Sequence, residues 1–284
     1  MSMNGKTCLV TGATHGIGLA TARALAAAGA NLVLHGRDPA RTRELADGLA
    51  RETARTVRAV HADFARLADV RALAAELDAT LPALDVLVNN AGVLCTRRTL
   101  SADGYELTFA VNHLAPFLLT NLLLPALERA PGARIVIVSS GAHRRAHLDF
   151  ADLMNERVAP GLTGAYARSK LANLLFMRAL AARVRAGRVS ANALHPGVVA
   201  SHLFRDLPAP LRLLLAGAGR LAMLSPEQGA RTSVYLASAP ELQGASGGYY
   251  VRCRLAAPSR AAQSDEDAAR LWRESARLTG LPAS

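Results

Sequence analysis

One junction constrains the fold more than any other stretch of this chain. An apolar run, residues 6–11 (KTCLVT), passes through Gly12-Ala-Thr-His-Gly16-Ile-Gly18 into the amphipathic segment 19–28, which Gly29 closes. Strand, glycine-rich turn and helix in that order form a phosphate cradle. Glycines let the backbone approach a pyrophosphate, and the new helix points unpaired N–H groups and its positive dipole end at it. Gly12, Thr14, His15, Gly16, Ile17 and Gly18 are the candidate cradle residues. His15 either adds a donor to the phosphate or is a solvated turn residue.

The same unit recurs. Residues 31–36 (NLVLHG) read as a second strand, 56–62 as a third, ending at Asp63-Phe64, and 84–89 as a fourth, ending in Asn89-Asn90-Ala91-Gly92. Helical periodicity fills the gaps, as in 67–80. Further strands are read at 133–138, 189–194 and 247–251, which makes seven. Strand and helix in alternation predict an α/β, doubly wound, mostly parallel seven-stranded sheet with helices on both faces, a Rossmann fold in a single domain over 1–284. Its ligands bind outside the carboxyl ends of the strands. Each motif named so far sits at such an end. Arg37 stands just past the second strand with no carboxylate before Asp38. An acidic residue there reads a ribose 2′-hydroxyl and an Arg accommodates a 2′-phosphate, so NADP(H) is expected in preference to NAD(H), which stays possible.

In Tyr166-Ala-Arg-Ser-Lys170 the phenol and the ammonium are four residues apart, which places both on one helix face a turn apart. A Lys⁺ so close favours the tyrosinate and lowers a phenol pKa of about 10. Such a phenol can trade a proton with a carbonyl or an alcohol.

Composition excludes other classes. The net charge of +11 suggests nucleic acid or an anionic membrane, but the arginines are spread over helical stretches such as 37–58 and 178–188 among Ala and Leu. Aromatics are 4% of the chain and interleave with no basic cluster. Cys8, Cys95 and Cys253 are odd in number and lie in no metal-binding pattern, so no metal is expected and a reducing cytoplasm is the simplest home. The start, Met-Ser-Met-Asn-Gly-Lys, has no signal-peptide pattern, and no run reaches the roughly 18 apolar residues of a membrane span.

With Thr11-Gly12-x-x-x-Gly16-x-Gly18, Asn89-Asn90-Ala91-Gly92 and Tyr166-x-x-x-Lys170, the chain resembles the short-chain dehydrogenase/reductase family over essentially its whole length. The stretches 110–121, 169–176 and 193–198, and a tail with Cys253-Arg254, Ala257-Pro258-Ser259 and Leu271-Trp272, look like its retinol dehydrogenase, WW-domain oxidoreductase and protochlorophyllide reductase branch. The resemblance implies that Tyr166 is the proton donor to a carbonyl or the base toward an alcohol. Lys170 would bond the nicotinamide ribose and lower the Tyr pKa, and Ser140 would hydrogen-bond the substrate oxygen, with Ser139 satisfying backbone. Asn112 would hold a relay water for the Lys, or else be a buried, satisfied amide. Asp63 and Phe64 would flank the adenine, Asn90, Ala91 and Gly92 the adenosine ribose, and Pro196 and Gly197 the nicotinamide, with Val199 and Ser201 reaching its carboxamide.

Residues 1–130 are then mainly the cofactor half, and 131–284 the catalytic and substrate half. An apolar lid over about 198–224 (Leu203-Phe204, Leu213-Leu-Leu215, Leu221-Ala-Met-Leu224) suits a lipophilic aldehyde, ketone or alcohol. Ser140 and Tyr166 are 26 positions apart, wider than in many family members. The added segment, 143–164, either covers the substrate mouth or blocks helix contacts used in tetramers, so monomer and homo-oligomer both stay open. A non-catalytic NADP(H)-binding sensor on the same fold is the alternative class.

Overall fold

The structure is a computed structural model that describes residues 2–157, 161–184, 188–199 and 223–282. Its strands are β1 (Thr7–Val10), β2 (Asn31–Gly36), β3 (Val57–His61), β4 (Val86–Asn89), β5 (Ala133–Val138), β6 (Val189–His195), β7 (Tyr249–Val251) and β8 (Arg254–Leu255). They form one sheet in the order β3-β2-β1-β4-β5-β6-β7-β8. All pairs are parallel up to β7, and β8 pairs antiparallel with β7. The order reverses between β1 and β4, so the crevice for a ligand opens at their carboxyl ends.

The eighth strand is one more than the sequence predicts. Its two-residue turn, Arg252-Cys253, has φ of 51° and 60°, the left-handed pair that a tight hairpin requires. Such turns are signalled by Asn-Gly or Gly-Gly, and Arg-Cys carries no such signal. Cys253 N donates to Thr232 Oγ1 (3.2 Å), which holds the turn.

Alternation along each strand divides the core in two. Cys8, Val10, Leu32, Leu34, Val86, Val88, Val136 and Val138 face one layer, with α1 (Gly16–Ala27), α2 (Pro39–Thr53) and, later in the chain, α8 (Pro226–Ser238). Leu9, Val33, Leu87, Ile135, Ile137, Ala191 and Ala193 face the other. There lie α3 (Leu67–Thr80), a helical run from α4 (Leu107–Phe109) through a π-helical turn (Ala110–Leu114) into α5 (Ala115–Leu122), the short α6 (Leu124–Glu128), α7 (Gly161–Arg183) and α9 (Asp265–Thr279). Trp272 of α9 meets Phe117 edge-on at 4.9 Å, so the tail seals this layer.

Helix ends follow local chemistry. The helix expected over 37–58 stops at Thr53, where Ala54 turns left-handed (φ 53°). Ser225 and Gln228 close the reciprocal cap of α8, with Pro226 in its first turn, as its sequence predicts. Ser264 Oγ accepts from Asp267 N (3.0 Å) and opens α9. Among the described residues no helix is long and apolar enough to cross a membrane, and no cluster of His, Cys, Asp and Glu could hold a metal.

Candidate active site

The glycine turn is built of main chain. Gly12 and Gly16 have φ of 63° and 55°, which glycine adopts without strain. Gly18 is required for space instead: a Cβ there would lie 2.2 Å from Gly12 O and 2.5 Å from Asn90 Nδ2. Thr11 Oγ1 accepts from Asn90 N (2.9 Å) and Ala91 N (3.0 Å), and Asn90 Nδ2 donates to Thr11 O (2.8 Å). The loops after β1 and β4 are thereby stapled together. Asn90 thus spends its amide nitrogen and its main-chain N–H on the turn, and what it can offer a ribose is oxygen. No side chain caps the first turn of α1, so its N–H groups suit an anion. His15, at the cap position, is exposed, and Thr14 is buried.

His35, at the end of β2, is the first site residue that the sequence motifs do not contain. Its Nδ1 accepts from Gly12 N (3.3 Å), so Nε2 carries the proton and donates to Ala62 O (3.1 Å). The ring stacks on Phe64 at 4.3 Å, and Phe64 is 4% exposed. The Phe64 ring therefore faces His35 inside the core, and what this residue can offer an adenine is main chain. Asp63 Oδ1 accepts from Ala65 N (3.0 Å). Arg37 is exposed past β2, and Asp38, the nearest carboxylate, is engaged as the cap of α2 through Arg41 N (3.1 Å). A Cβ at Gly36 would meet Thr42 Oγ1 at 2.3 Å, which explains the glycine at this corner. The corner thus offers a guanidinium and no uncommitted carboxylate to a ribose.

At the other side of the crevice α7 is stitched to the end of β5. Ser139 Oγ donates to Lys170 O (2.7 Å), and Lys170 Nζ donates to Val138 O (3.0 Å). Ser139 is thus the backbone-satisfying hydroxyl. The Ser140 hydroxyl accepts from Ala142 N (3.2 Å) and lies close enough to the Tyr166 phenol to favour its ionised form. Lys170 Nζ is 5.5 Å from the Tyr166 ring centre. Serine, phenol and ammonium thus converge.

The expected lowering of the Tyr166 pKa is reversed. Burial pushes the phenol up to about 12, against the Ser140 hydrogen bond, although the residue as a whole stays partly exposed. Burial likewise brings Lys170 down to about 8. Spacing counts the neighbouring charge and omits desolvation, and here the desolvation wins.

Asn112 lies fully buried in the π-helical turn. Its Oδ1 accepts from Val93 N (2.7 Å), and its Nδ2 donates to Val93 O (2.9 Å) and Ser169 Oγ (2.9 Å). Ser169 Oγ donates on to Tyr166 O (2.8 Å). Of its two readings, the side chain takes the satisfied amide, and any relay to Lys170 falls to main chain. A Cβ at Gly92 would be 3.5 Å from Lys170 Nζ, so Gly92 belongs beside the catalytic pair.

After β6, Gly197 has φ 94°. Val199 is 4% exposed, and a Cβ at Gly229 would lie 2.5 Å from its Cγ2. Ser201 and 200–222 of the predicted lid lie outside the described residues. Two further histidines, His143 and His195, hold the Ser140 turn, and no motif singles them out. A groove of about 700 Å³ between α1 and α8, lined by Leu19, Arg23, Val234 and Tyr235, includes none of Ser140, Tyr166 and Lys170.

A family model described as short chain dehydrogenase matches residues 6–211. Retinol dehydrogenase 14 of Mus musculus is 40% identical over 292 residues, covering 98% of this chain and 87% of the relative. Polyprenol dehydrogenase of Mus musculus is 42% identical over 283 residues, covering 97% and 84%. The crystal structure of a short chain dehydrogenase from Escherichia coli CFT073 complexed with NADPH superposes with a TM-score of 0.70 at 26% identity, over 88% of this chain and 97% of that one.

Proposed function

The chain belongs to the short chain dehydrogenase family and is an oxidoreductase, and from that premise we propose that it uses NADP(H) to interconvert a lipophilic carbonyl compound and its alcohol. The observation that carries this reading is the convergence of Ser140, Tyr166 and Lys170 at the end of β5, on the same sheet edge as the glycine turn.

Residues 1–130 hold the cofactor. The turn from Gly12 to Gly18, with Thr14, His15 and Ile17, takes the pyrophosphate on main-chain N–H groups, and Arg37 takes the 2′-phosphate. Asp63 and the Phe64 main chain border the adenine, and Asn90, Ala91 and Gly92 the ribose. Pro196, Gly197 and Val199 border the nicotinamide, which supplies the hydride when bound. The rest is done by the chain. Ser140 holds the substrate oxygen by a hydrogen bond, and Tyr166 gives it a proton as negative charge develops there. A phenol with a pKa near 12 stays protonated at neutral pH, so in the isolated protein it is set as the donor for carbonyl reduction. Lys170, poised near 8, supplies the cation that stabilises tyrosinate once the proton has left.

The relatives named for retinol and polyprenol both act on isoprenoid alcohols by name, which supports an isoprenoid or similarly apolar substrate. The test is NADPH oxidation with all-trans-retinal and with aliphatic and quinone carbonyls. Tyr166→Phe should abolish turnover and leave NADPH binding intact. Undiminished turnover in that variant would sink the mechanism, and tight NADPH binding with no turnover of any carbonyl would favour a sensor.

A further inference from the structure

Ser140 sits on a turn whose main chain two imidazoles hold, His143 at Ser140 O and His195 at Gly141 N. His143, fully buried, accepts from Ser259 N at Nε2 (3.0 Å). Its Nδ1 therefore carries the proton and donates to Ser140 O (2.6 Å), tying the turn to the C-terminal segment. His195, the last residue of β6, accepts at Nδ1 from Gly141 N (3.1 Å) and, at longer range, from Gly197 N (3.4 Å). A Cβ at Gly141 would stand 3.2 Å from the ring, so glycine lets the imidazole close on the turn.

Resting on the hydride-transfer reading above, we propose that His195 is a positioning residue: its Nδ1 clamps main chain on both sides of the reacting centre, Gly141 beside Ser140 and Gly197 after Pro196. The hydroxyl that holds the substrate oxygen and the loop beside the nicotinamide then keep one spacing. Misplacing reacting groups by an ångström is enough to cost much of a rate, so a clamp of this kind acts on kcat.

The clamp works only with an unprotonated Nδ1. Among the described residues, the charged and titratable groups facing the ring are His143 and Arg144 from the turn after β5 and Arg252 from the turn after β7. All three disfavour a second proton, and burial, the larger effect, acts in the same direction.

The experiment compares wild type, His195→Asn, whose carboxamide oxygen can accept in place of Nδ1, and His195→Phe, which keeps a ring without the acceptor. His195→Leu replaces the Phe variant if that protein does not fold, as judged by its unfolding midpoint. Amide hydrogen exchange at Gly141 and Gly197 is followed in protein without added ligand. Losing one net hydrogen bond should speed exchange roughly tenfold in the Phe variant, with Asn within about threefold of wild type. With NADPH and all-trans-retinal, kcat should fall by a similar roughly tenfold factor in Phe and recover in Asn, while NADPH Kd stays within about threefold. A merely space-filling ring predicts Phe at least as good as Asn. Equal protection and equal kcat in the Phe and Asn variants would overturn the proposal. The exchange measurement needs no substrate, so it decides the clamp even where retinal is not turned over. Activity surviving in Tyr166→Phe would count against the proton-transfer reading alone.

Discussion

Lys170→Met should abolish turnover and stabilise the fold. Lys170 is 3% exposed, and burial brings its pKa from 10.5 down to about 8. One pKa unit corresponds to about 1.4 kcal/mol, so holding that ammonium inside costs the folded state about 3 kcal/mol at neutral pH. Met fills a similar volume without the charge. Against the gain stands Val138 O, which loses the donor at 3.0 Å and is left buried at a cost of about 1–3 kcal/mol. The net should be about 1 kcal/mol in favour of Met at pH 7. The sign changes with pH. Below about 8 both folded and unfolded chains carry the proton and the penalty is complete. From there to 10.5 only the unfolded chain carries it, so wild type gains stability as pH rises while Met does not. Neutral lysine still donates to Val138 O, so wild type should become the more stable protein before pH 10.5 is reached. Urea unfolding of both proteins at pH 7, 8.5 and 10 checks this. A Met variant less stable than wild type at pH 7, or a difference independent of pH, would refute the reasoning.

Two further outcomes test other parts of the site. Arg37→Asp should weaken NADPH by roughly tenfold or more and NADH hardly at all, since one charge-assisted contact to the 2′-phosphate is worth about 1.5–3 kcal/mol; titration of both cofactors measures it, and equal affinities of wild type for the two would remove the assignment. Acid should destabilise the fold early. Burial holds His35 down at about 4 and His113 at about 3, whereas unfolded imidazoles take protons near 6.5. Folded pKa values below unfolded ones give stability that is complete above 6.5 and lost as pH falls, about 2 kcal/mol per ring at pH 5. Unfolding midpoints at pH 7 and 5 that differ by much less than about 4 kcal/mol in total would contradict the burial of both rings.

What the sequence carried was local, and what it missed was distant. The glycine turn, Asn89-Asn90-Ala91-Gly92, Ser139-Ser140 and Tyr166-Lys170 are each legible because a few consecutive residues contain their own geometry, and the alternation of strand and helix places all of them at one sheet edge. The partners that hold them are not adjacent in the chain. His35 meets Gly12 across 23 residues, His195 meets Gly141 across 54, and His143 meets Ser259 across 116. No spacing rule joins such pairs. Desolvation was illegible for the same reason: the core that raises Tyr166 and lowers Lys170 is assembled from several elements. At Phe64 the sequence marks the residue but not which of its atoms is free, and the ring is taken by His35.

The two crevice histidines that end strands use one device. His35 closes β2 and His195 closes β6, and each turns Nδ1 to the N–H of a glycine in a neighbouring strand-end loop, Gly12 in one case and Gly141 in the other. A carboxylate in those places would add charge next to the phosphates expected at the glycine turn, and an amide would lack a flat ring to stack as His35 does on Phe64. A neutral imidazole supplies an acceptor, a ring face and no charge. Both rings have pKa values lowered by burial, so both acceptors exist at neutral pH and each is lost on protonation. Cofactor cradle and substrate turn therefore each have an acid limit that neither Tyr166 nor Lys170 imposes. Protonating His35 should accordingly weaken NADPH binding only as pH falls toward about 4, and an acid limb confined to kcat would place its origin at His195 or His143 and leave His35 out.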